Sequence, residues 1–365
     1  VANVIGTDLT RYKVVEYNQF ACNRMHVGRD YRIPIALSRS NDPFIVSPAY
    51  TVFEIIDTSE LYPEYLMMWF SRAEFDRETW FHTDADVRGG LPWGLFCDIE
   101  LPVPSMEKQR EIVNEYKTIV NRIKLNEQLN KKLEETAQAL YKHWFVNFEF
   151  PNENGQPYKS SGGELVYNEE LEQEIPEAWR SCELGSLVST QYGYTASASF
   201  EINGPKFLRI TDVAGEYIDW DSVPNCPISE KDLDKYLVNE GDILVARTGA
   251  TVGFAKRINK RFPKAVFASY LVRLVPNLEG MSQFIGASVV SKKFRDYILN
   301  VAGGSAQPQA NAVLMSEYKM ILPNEDFVIK FSELVSKLQD QMEVLQLENT
   351  QLLKLKVLIL AKLGY

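Results

Sequence analysis

The sequence predicts an α+β fold in which two mixed α/β domains are separated by two long helices that form an antiparallel coiled coil, with a pseudo-two-fold internal repeat. Three observations predict it. Residues 105–150 and 324–365 each carry an apolar seam at helical spacing, without Pro or Gly inside the seam. Residues 1–104 and 178–323 each mix short β-like runs with a helical stretch. Finally, the second mixed segment and its long helix resemble the first mixed segment and its long helix, with matching residues a nearly constant number of positions apart.

The first mixed segment, residues 1–104, has β-like runs at 44–46 and 50–56 and a helical stretch at 63–80. Its start, TDLTRYKVVEYNQF, matches KDLDKYLVNEGDIL of the second mixed segment, which has about 50 further residues, 179–228, before this match. We therefore expect the first domain to be N-terminally incomplete, with that part missing or never present.

Residues 105–150 are predicted to form one long helix. Ser105 is a suitable N-cap, and Glu107 and Glu111 place negative charge at the positive end of the helix dipole. The seam advances in steps of four and three residues through Ile112, Tyr116, Ile119, Ile123, Asn126, Asn130, Leu133, Ala137, Leu140 and Trp144. A helix of roughly 40 residues is about 60 Å long, so it must span between two bodies or pair with another long helix.

Residues 151–177 have the composition of a linker, with one Lys against seven Glu and many Gly, Ser and Asn residues. The second mixed segment, residues 178–323, follows. Strands are predicted at 206–211, 242–247 and 266–275, and a helix at 281–300. A short apolar run at 318–323 ends the segment.

Residues 324–365 are predicted to form the second long helix. Its seam runs through Phe327, Phe331, Leu334, Leu338, Gln341, Leu345, Glu348, Leu352, Leu355 and Ile359. Polar residues inside both seams favour pairing of the two helices, because buried polar pairs fix register and orientation. The hypothetical antiparallel register places three pairs opposite each other, namely Ile112 with Ile359, Asn126 with Leu345, and Asn130 with Gln341.

The internal repeat is also visible in the residues themselves. The matching segments are 47–53 with 267–273, 70–75 with 289–294, and 101–102 with 322–323, at offsets of 220, 219 and 221. A period this long indicates two duplicated domains and not a solenoid of short repeats.

The composition is that of an ordinary globular protein, with 365 residues, of which 45% are hydrophobic and 24% charged. No run approaches 18 apolar residues and the first residues do not resemble a signal peptide, so a cytoplasmic protein is expected. The four cysteines contain no C-x-x-C pair and the three histidines do not cluster with them, which argues against a zinc site or a disulfide framework. The net charge of −10 disfavours nucleic acid, but binding depends on the charge of one local face.

No segment has a catalytic layout. The N-P-P-Y or D-P-P-Y loop of aminomethyltransferases and the G-x-x-x-x-G-K-[ST] phosphate loop are both missing. The GATVG segment at 249–253 is better explained as a turn between strands. The chain is therefore expected to have no enzymatic activity of its own and to depend on partners.

Four segments carry a resemblance to a known family: LPVPSMEKQREIV, AQALYKHWFVNFEFP, GDILVARTGATVGFAKRI and GSAQPQANAVLMSEYKMILP. Together with the order of elements, they make the chain similar to the DNA-specificity (S) subunit of type I restriction-modification systems, over essentially its whole length. The resemblance implies that the two mixed domains are target-recognition domains, each reading half of a split, asymmetric site in double-stranded DNA. It also implies docking of two methyltransferase (M) subunits and of restriction (R) subunits, and no membrane contact. S-adenosylmethionine, ATP and Mg would belong to those partner subunits, and no cofactor to this chain.

Within the second domain, cations, aromatic residues and amides near strand ends are the candidates for DNA contact. They are Tyr192, Tyr194, Lys206, Arg209, Arg247, Thr248, Lys256, Arg257, Lys260, Arg261, Gln307 and Gln309. Arg247 could present its guanidinium to a guanine edge, although a structural salt bridge is an alternative. The cations at 256–264 could contact phosphates or simply form a solvated loop.

Within the first domain, the corresponding candidates are Asn23, Arg24, His26, Arg29, Arg32 and Arg88. Trp93 occupies a similar position, but it could equally be a core residue. Trp144, Phe145 and Phe148 at the end of the first long helix either pack against their own domain or form an apolar platform for a methyltransferase. The outward faces of the two long helices are a second candidate for that docking surface.

Two alternatives compete with this interpretation. A non-catalytic coiled-coil adaptor with two protein-binding modules would agree with the acidic charge. A fused enzyme would need catalytic motifs that the sequence lacks.

Overall fold

The computed structural model describes residues 8–25, 27–83, 89–215, 217–278, 280–303 and 309–364. His26, Arg88 and Gln307, three of the predicted DNA-contacting residues, lie outside these ranges. None of the described helices combines the length and apolar character needed to cross a membrane. The chain forms two compact units: unit 1 comprises Val1–Asn126 with Leu347–Tyr365, and unit 2 comprises Glu127–Gln346.

The strands, numbered in chain order, are short. They are β1 (Lys13–Val15), β2 (Phe20–Asn23), β3 (Ile35–Leu37), β4 (Phe44–Val46), β5 (Tyr50–Phe53), β6 (Leu165–Asn168), β7 (Gln173–Pro176), β8 (Arg180–Glu183), β9 (Val188–Tyr192), β10 (Lys206–Leu208), β11 (Ile243–Ala246), β12 (Ala255–Arg257), β13 (Ala265–Phe267), β14 (Leu271–Pro276) and β15 (Lys319–Leu322).

Two helices are far longer than the rest. The helices are α1 (Val27–Asp30), α2 (Pro63–Phe70), α3 (Ala73–Phe81), α4 (Trp93–Cys97), α5 (Met106–Tyr141), α6 (Ile210–Val213), α7 (Glu230–Tyr236), α8 (Ser282–Val290), α9 (Lys292–Val301), α10 (Ala312–Ser316) and α11 (Glu325–Lys362). The predicted helix at 105–150 thus corresponds to α5 followed by a π-helical turn at Lys142–Val146, and that at 324–365 to α11.

Unit 1 contains an antiparallel sheet of order β3-β2-β5 and a separate antiparallel pair of β1 and β4. Helices α2 and α3 replace the single helical stretch predicted at 63–80, because the chain leaves the helix at Ser71 and Arg72. The apolar core contains Tyr65 and Phe75 from these helices. Val113 of α5 and Leu363, just beyond α11, lie in the same core.

Unit 2 contains an antiparallel sheet of order β12-β11-β14-β9 and a parallel β10-β13 pair. Its predicted helix at 281–300 is likewise two helices, since Ser291 ends α8 and then caps α9 by accepting a hydrogen bond from the Phe294 N–H at 3.3 Å. Strands β11 and β13 and most of β14 are buried, which explains their continuous apolar runs.

The two sheets share their strand order. In unit 1, Cys22 on the central strand pairs with Ile35 on one side and Thr51 on the other. In unit 2, Val245 pairs in the same way with Ala255 and Val272. The equivalent residues Ile35 and Ala255, Cys22 and Val245, and Thr51 and Val272 are 220, 223 and 221 positions apart. The described part of unit 1 has no strand in the place of β9. The sequence repeat therefore reflects a repeated three-stranded arrangement.

Within unit 1, the ends of α5 and α11 run antiparallel. The Arg122 guanidinium donates two hydrogen bonds to the Glu348 carboxylate at 2.8 and 2.9 Å. Asn126 is fully buried, and its Nδ2 donates to Glu348 at 3.0 Å and to Asn349 Oδ1 at 2.9 Å. The predicted pairing of Asn126 with Leu345 is thus wrong by about one helical turn, because the buried amide pairs with polar groups.

The predicted seam of α5 is buried or half-buried at each of its positions, but the predicted seam of α11 is not. Leu334, Gln341 and Leu355 are exposed, whereas the residue after each of them is buried or half-buried. Asn130 is buried whereas Gln341 is exposed, so the two do not form the predicted buried polar pair. The other seven predicted positions of the α11 seam are buried or half-buried, so the seam is displaced by one residue at three positions only.

Residues 151–177, predicted as a linker from their composition, contain two paired strands. Strands β6 and β7 form a hairpin in which Ile175 is buried. Before it, Phe150 stacks on Tyr158 and on Trp179, each with ring centroids 4.6 Å apart. Polar composition predicted a linker, but a few aromatic contacts are enough to order the segment.

Candidate nucleic-acid interface

Arg247 emerges where the buried strand β11 ends. Its backbone N–H donates to the Tyr270 carbonyl at 3.0 Å, and its own carbonyl accepts from the Ala310 N–H at 2.9 Å. Gly249 follows with φ of +73°, a conformation that glycine adopts without strain, and turns the chain away. The arginine side chain thus leaves a backbone that is fixed on both sides.

The Arg247 guanidinium lies against an aromatic ring. Its carbon is 4.8 Å from the ring centroid of Tyr192, the last residue of β9. Tyr192 is 42% exposed, and its hydroxyl accepts a hydrogen bond from the Ala312 N–H at 3.0 Å. Within the described ranges, no carboxylate pairs with Arg247, and its Nε has no hydrogen-bond partner. The ring therefore orients the cation, and because the Nε is buried, contact with a ligand falls to the terminal nitrogens.

Two further predicted residues lie at the same strand end. Thr248 and Gln309 form an isolated antiparallel bridge, and Gln309 is exposed. We call Tyr192, Arg247, Thr248 and Gln309 the strand-end cluster. Its side chains combine an aromatic face, a guanidinium, a hydroxyl and an amide, which are the groups that recognise base edges and phosphates.

Tyr270 is a neighbour that the sequence reasoning missed. It is 60% exposed, and its carbonyl holds the backbone of Arg247. The repeat offered a signal, because Tyr270 matches Tyr50 in the segment that aligns best between the two modules.

Other predicted residues of unit 2 have internal partners. The Lys206 ammonium donates to the Val223 carbonyl at 2.7 Å. The Arg209 guanidinium makes two hydrogen bonds to Asp212 at 3.0 and 2.9 Å. Tyr194 is half-buried, with its ring centroid 5.1 Å from that of Tyr236. Lys206, Arg209 and Tyr194 are therefore not members of the strand-end cluster, and each contacts another part of unit 2.

The cations at 256–264 do not form one basic face. The Arg257 Nε donates to Ser282 Oγ at 2.8 Å, and its Nη1 donates to Asn259 at 3.0 Å and to Gln339 at 3.2 Å. Burial lowers the pKa of Arg257 below its usual value. Side chains alternate along β12, so Arg257 shares the inner face with Ala255. Arg257 is thus half-buried with internal hydrogen-bond partners, and its predicted phosphate contact stays a prediction.

The remaining cations of that stretch differ in exposure. Lys256, on the opposite face of the strand, is half-buried. Lys260 pairs with Asp340 at 3.3 Å. Arg261 is exposed, in a left-handed conformation with φ of +57°. Of the cations at 256–264, Lys260, Arg261 and Lys264 are exposed.

In unit 1, Arg24 follows β2 as Arg247 follows β11. Its carbonyl accepts from the Leu91 N–H at 2.9 Å, and its guanidinium lies 5.4 Å from the Trp93 ring centroid. Its Nε donates to Thr51 Oγ1 at 3.1 Å and its Nη1 donates to the Leu91 carbonyl. Trp93 stacks on Phe96 with ring centroids 5.1 Å apart and is 37% exposed, so it forms the rim of the core.

The other described candidates of unit 1 are dispersed. Asn23 Oδ1 accepts a hydrogen bond from the Met25 N–H at 3.0 Å, which forms a local turn. Arg29 pairs with its neighbour Asp30 at 2.7 Å, and Arg32 is exposed. These residues do not reproduce the strand-end cluster.

The aromatic residues at the end of α5 are core residues. Trp144, Phe145 and Phe148 are only 7%, 3% and 6% exposed. Phe145 packs edge-on against Phe284 and Phe331, with centroids 4.9 and 5.1 Å apart. They do not form an exposed docking platform, because all three lie in the apolar core of unit 2.

The outward face of α11 is unusually apolar instead. In unit 1, Leu347, Leu355 and Leu358 are 47%, 48% and 56% exposed. Their spacing of eight and three residues places them on one face of the helix, which we call the outward stripe. Exposed apolar side chains that lie close together, as Leu355 and Leu358 do one helical turn apart, are typical of protein contact sites.

Comparisons with known proteins support the family resemblance. No protein-family model matches the chain. The MjaIX specificity subunit of a type I restriction enzyme from Methanocaldococcus jannaschii is 26% identical over 289 residues, which cover 77% of this chain and 64% of that protein. The chain thus spans under two thirds of that relative. The HindI specificity subunit from Haemophilus influenzae is 21% identical over 377 residues, covering 88% of this chain and 81% of that protein.

Among solved structures, the type I restriction-modification S subunit from M. genitalium matches with a TM-score of 0.57 at 12% identity. The match covers 97% of this chain and 84% of that one, and it confirms the predicted mixed α/β fold with two domains and long helices. The curated homologues of the chain are type I restriction enzyme specificity subunits, as the resemblance predicted.

Proposed function

We propose that this chain, whose curated homologues are type I restriction enzyme specificity subunits, is the DNA-recognition subunit of such an enzyme. It binds double-stranded DNA at a bipartite site and reads one half of that site with each mixed module. It performs no chemistry itself and directs methyltransferase and restriction subunits to the site.

The strand-end cluster is the observation that carries this proposal. Arg247 and Tyr192 lie together at the end of a rigid sheet, beside an exposed glutamine. A guanidinium held by an aromatic ring is suited to the hydrogen-bond acceptors of DNA, and exposed cations such as Arg261 supply phosphate contacts. Local positive groups can thus bind DNA despite the net charge of −10.

The outward stripe of α11 is the proposed docking surface for a methyltransferase subunit. Leu347, Leu355 and Leu358 offer apolar contact area that this chain does not cover. Two methyltransferase subunits are expected in the complex, one for each half-site, with restriction subunits joining them. S-adenosylmethionine, ATP and Mg would be bound by those partner subunits.

Methylome sequencing tests the proposal. The chain would be co-produced with a type I methyltransferase subunit in a host that lacks other adenine methylation. We expect methylation at a single bipartite motif, and none when either chain is produced alone. Methylation without sequence preference, or activity of this chain alone, would refute the proposal.

Salt dependence separates DNA recognition from a pure adaptor role. Binding to duplex DNA should weaken steeply as salt rises, with a slope set by the number of phosphates contacted. An adaptor that binds only proteins would show no retention on DNA at low salt.

A further inference from the structure

The two modules carry the same arginine at the same place in their sheets. Arg24 directly follows β2, and Arg247 directly follows the corresponding central strand β11. In both modules the arginine carbonyl accepts an N–H from the loop that precedes a short helix, from Leu91 in one and Ala310 in the other, each at 2.9 Å. Arg24 and Arg247 are therefore structural equivalents, 223 positions apart.

Both guanidinium groups also lie over an aromatic ring, but the ring comes from different elements. In unit 1 it belongs to Trp93 at the start of α4, and in unit 2 to Tyr192 at the end of β9. The aromatic contact fixes the plane of the guanidinium in each case.

The hydrogen bonds of the two groups differ. The Arg24 Nε donates a hydrogen bond to Thr51 Oγ1 at 3.1 Å, and its Nη1 donates one to the Leu91 carbonyl. The strand position that aligns with Thr51 is occupied in unit 2 by Val272, which has no side-chain acceptor. The Arg247 Nε is buried and has no hydrogen-bond partner in the part of the chain that the structure describes, so the terminal nitrogens are the donors left for a ligand.

We propose that the two modules use this shared arginine differently: Arg247 reads a guanine in the half-site bound by unit 2, whereas Arg24 fastens the loop of unit 1 and reads no base. Guanine presents two acceptors, O6 and N7, to the major groove, and two N–H groups of one guanidinium plane match them. Because the Arg247 Nε is buried, the two N–H groups would come from its terminal nitrogens, whose plane is set by Tyr192. Arg24 has already used donors on both edges of its guanidinium.

This inference rests on the proposed function, and a selection experiment tests it. Complexes of the full chain with a type I methyltransferase subunit would select from a library of randomised duplex DNA. Four variants are compared with the parent chain: Arg247→Gln, Arg247→Lys, Arg24→Gln and, as a charge control, Lys292→Gln. Lys292 is 89% exposed and pairs only locally, with Asp296 in the next turn.

We expect both Arg247 variants to lose discrimination for guanine at one position of one half-site by about 10-fold to 100-fold. The other half-site should stay unchanged. Arg247→Lys is informative because it keeps the charge but loses the paired donors. Arg24→Gln should lower the melting temperature and leave every base preference intact, and Lys292→Gln should match the parent.

The inference is overturned if a folded Arg247→Lys complex selects the parental motif, because the arginine would then contact only phosphate. It is also overturned if Arg24→Gln relaxes a base in the other half-site. If Arg247→Gln does not fold, the lysine variant still decides the question. Absence of any motif with the parent complex would refute the proposed function and not this assignment.

Discussion

Gln109 shows how one side chain anchors a long helix at the residue scale. It has no exposed surface, and it forms three hydrogen bonds of 2.8 Å: its Nε2 donates to the Glu60 and Pro104 carbonyls, and its Oε1 accepts from the Tyr62 N–H. The start of α5 is thereby tied to the segment before α2. Periodicity gave no sign of this role, because a polar residue early in a helix is normally solvated.

Gln109→Ala should therefore destabilise unit 1. Three hydrogen bonds of a fully buried side chain are lost, at about 0.5–1.5 kcal/mol each, so we expect the free energy of unfolding to fall by about 2–4 kcal/mol. Urea denaturation followed by circular dichroism measures it. Gln128→Ala, at an exposed position of the same helix, should change stability little, and an equal loss in both variants would contradict the anchoring role.

Tyr141, at the end of α5, predicts a pH effect. Burial raises its pKa from 10.0 to about 12, and its ring packs near Phe284 and Phe331. In the unfolded chain the phenol ionises first, so its contribution to stability is complete below about pH 10 and is lost as the pH rises toward about 12. Tyr141→Phe should make the melting temperature fall less steeply over that interval.

The control for this experiment is Tyr167→Phe, which changes a tyrosine that is 65% exposed. Its melting curves should follow those of the parent chain at every pH. Indistinguishable alkaline slopes for the parent and Tyr141→Phe would show that Tyr141 does not titrate as the structure indicates.

At the scale of elements, the pairing of α5 and α11 in unit 1 depends on a polar contact. Asn126 is the residue whose amide meets both Glu348 and Asn349. A neutral amide is required there, because its donor lies 3.0 Å from a carboxylate that already binds Arg122.

Asn126→Asp tests this contact with almost no change in shape. It should cost about 2–4 kcal/mol at neutral pH, because a buried carboxylate would face Glu348. Adding Glu348→Gln should restore much of the loss, as measured by thermal unfolding. If the single variant is as stable as the parent, or the second substitution gives no recovery, the contact does not hold the helices as described.

The outward stripe of α11 makes a separate prediction about assembly. Leu355→Glu combined with Leu358→Glu should weaken co-purification of a methyltransferase subunit at least tenfold, or about 1.4 kcal/mol, without lowering the melting temperature. Val357→Glu changes an equally apolar residue, 65% exposed, on another flank of the helix and should leave the complex intact. Loss of binding in all variants alike would remove the stripe as the docking surface.

At the scale of the whole molecule, the two long helices are the proposed ruler between the half-sites. Removing seven residues from each at matched positions would shorten them by about 10 Å, or about three base pairs of B-DNA. We expect the methylated motif to keep both half-sites with a correspondingly shorter gap. An unchanged gap, read from methylome sequencing, would refute the ruler.

The sequence by itself determined the features that depend on local order along the chain. Two long helices follow from apolar steps of three and four without Pro or Gly, since helix formation depends on near neighbours. The duplication follows from the matches of residues 47–53 and 267–273, and four longer segments sufficed for the family resemblance.

Tertiary structure decided which side chains are free. Arg257 and Arg261 look alike in the sequence, yet the fold buries the first in hydrogen bonds and exposes the second. On α11, Val335 and Met342 are buried, whereas the neighbouring residues Leu334 and Gln341, which periodicity placed in the seam, are exposed. The reason is that burial depends on atoms contributed by distant parts of the chain, which periodicity cannot locate. The difference between Arg24 and Arg247 has the same origin: a threonine or a valine on an adjacent strand decides whether the guanidinium is already bound.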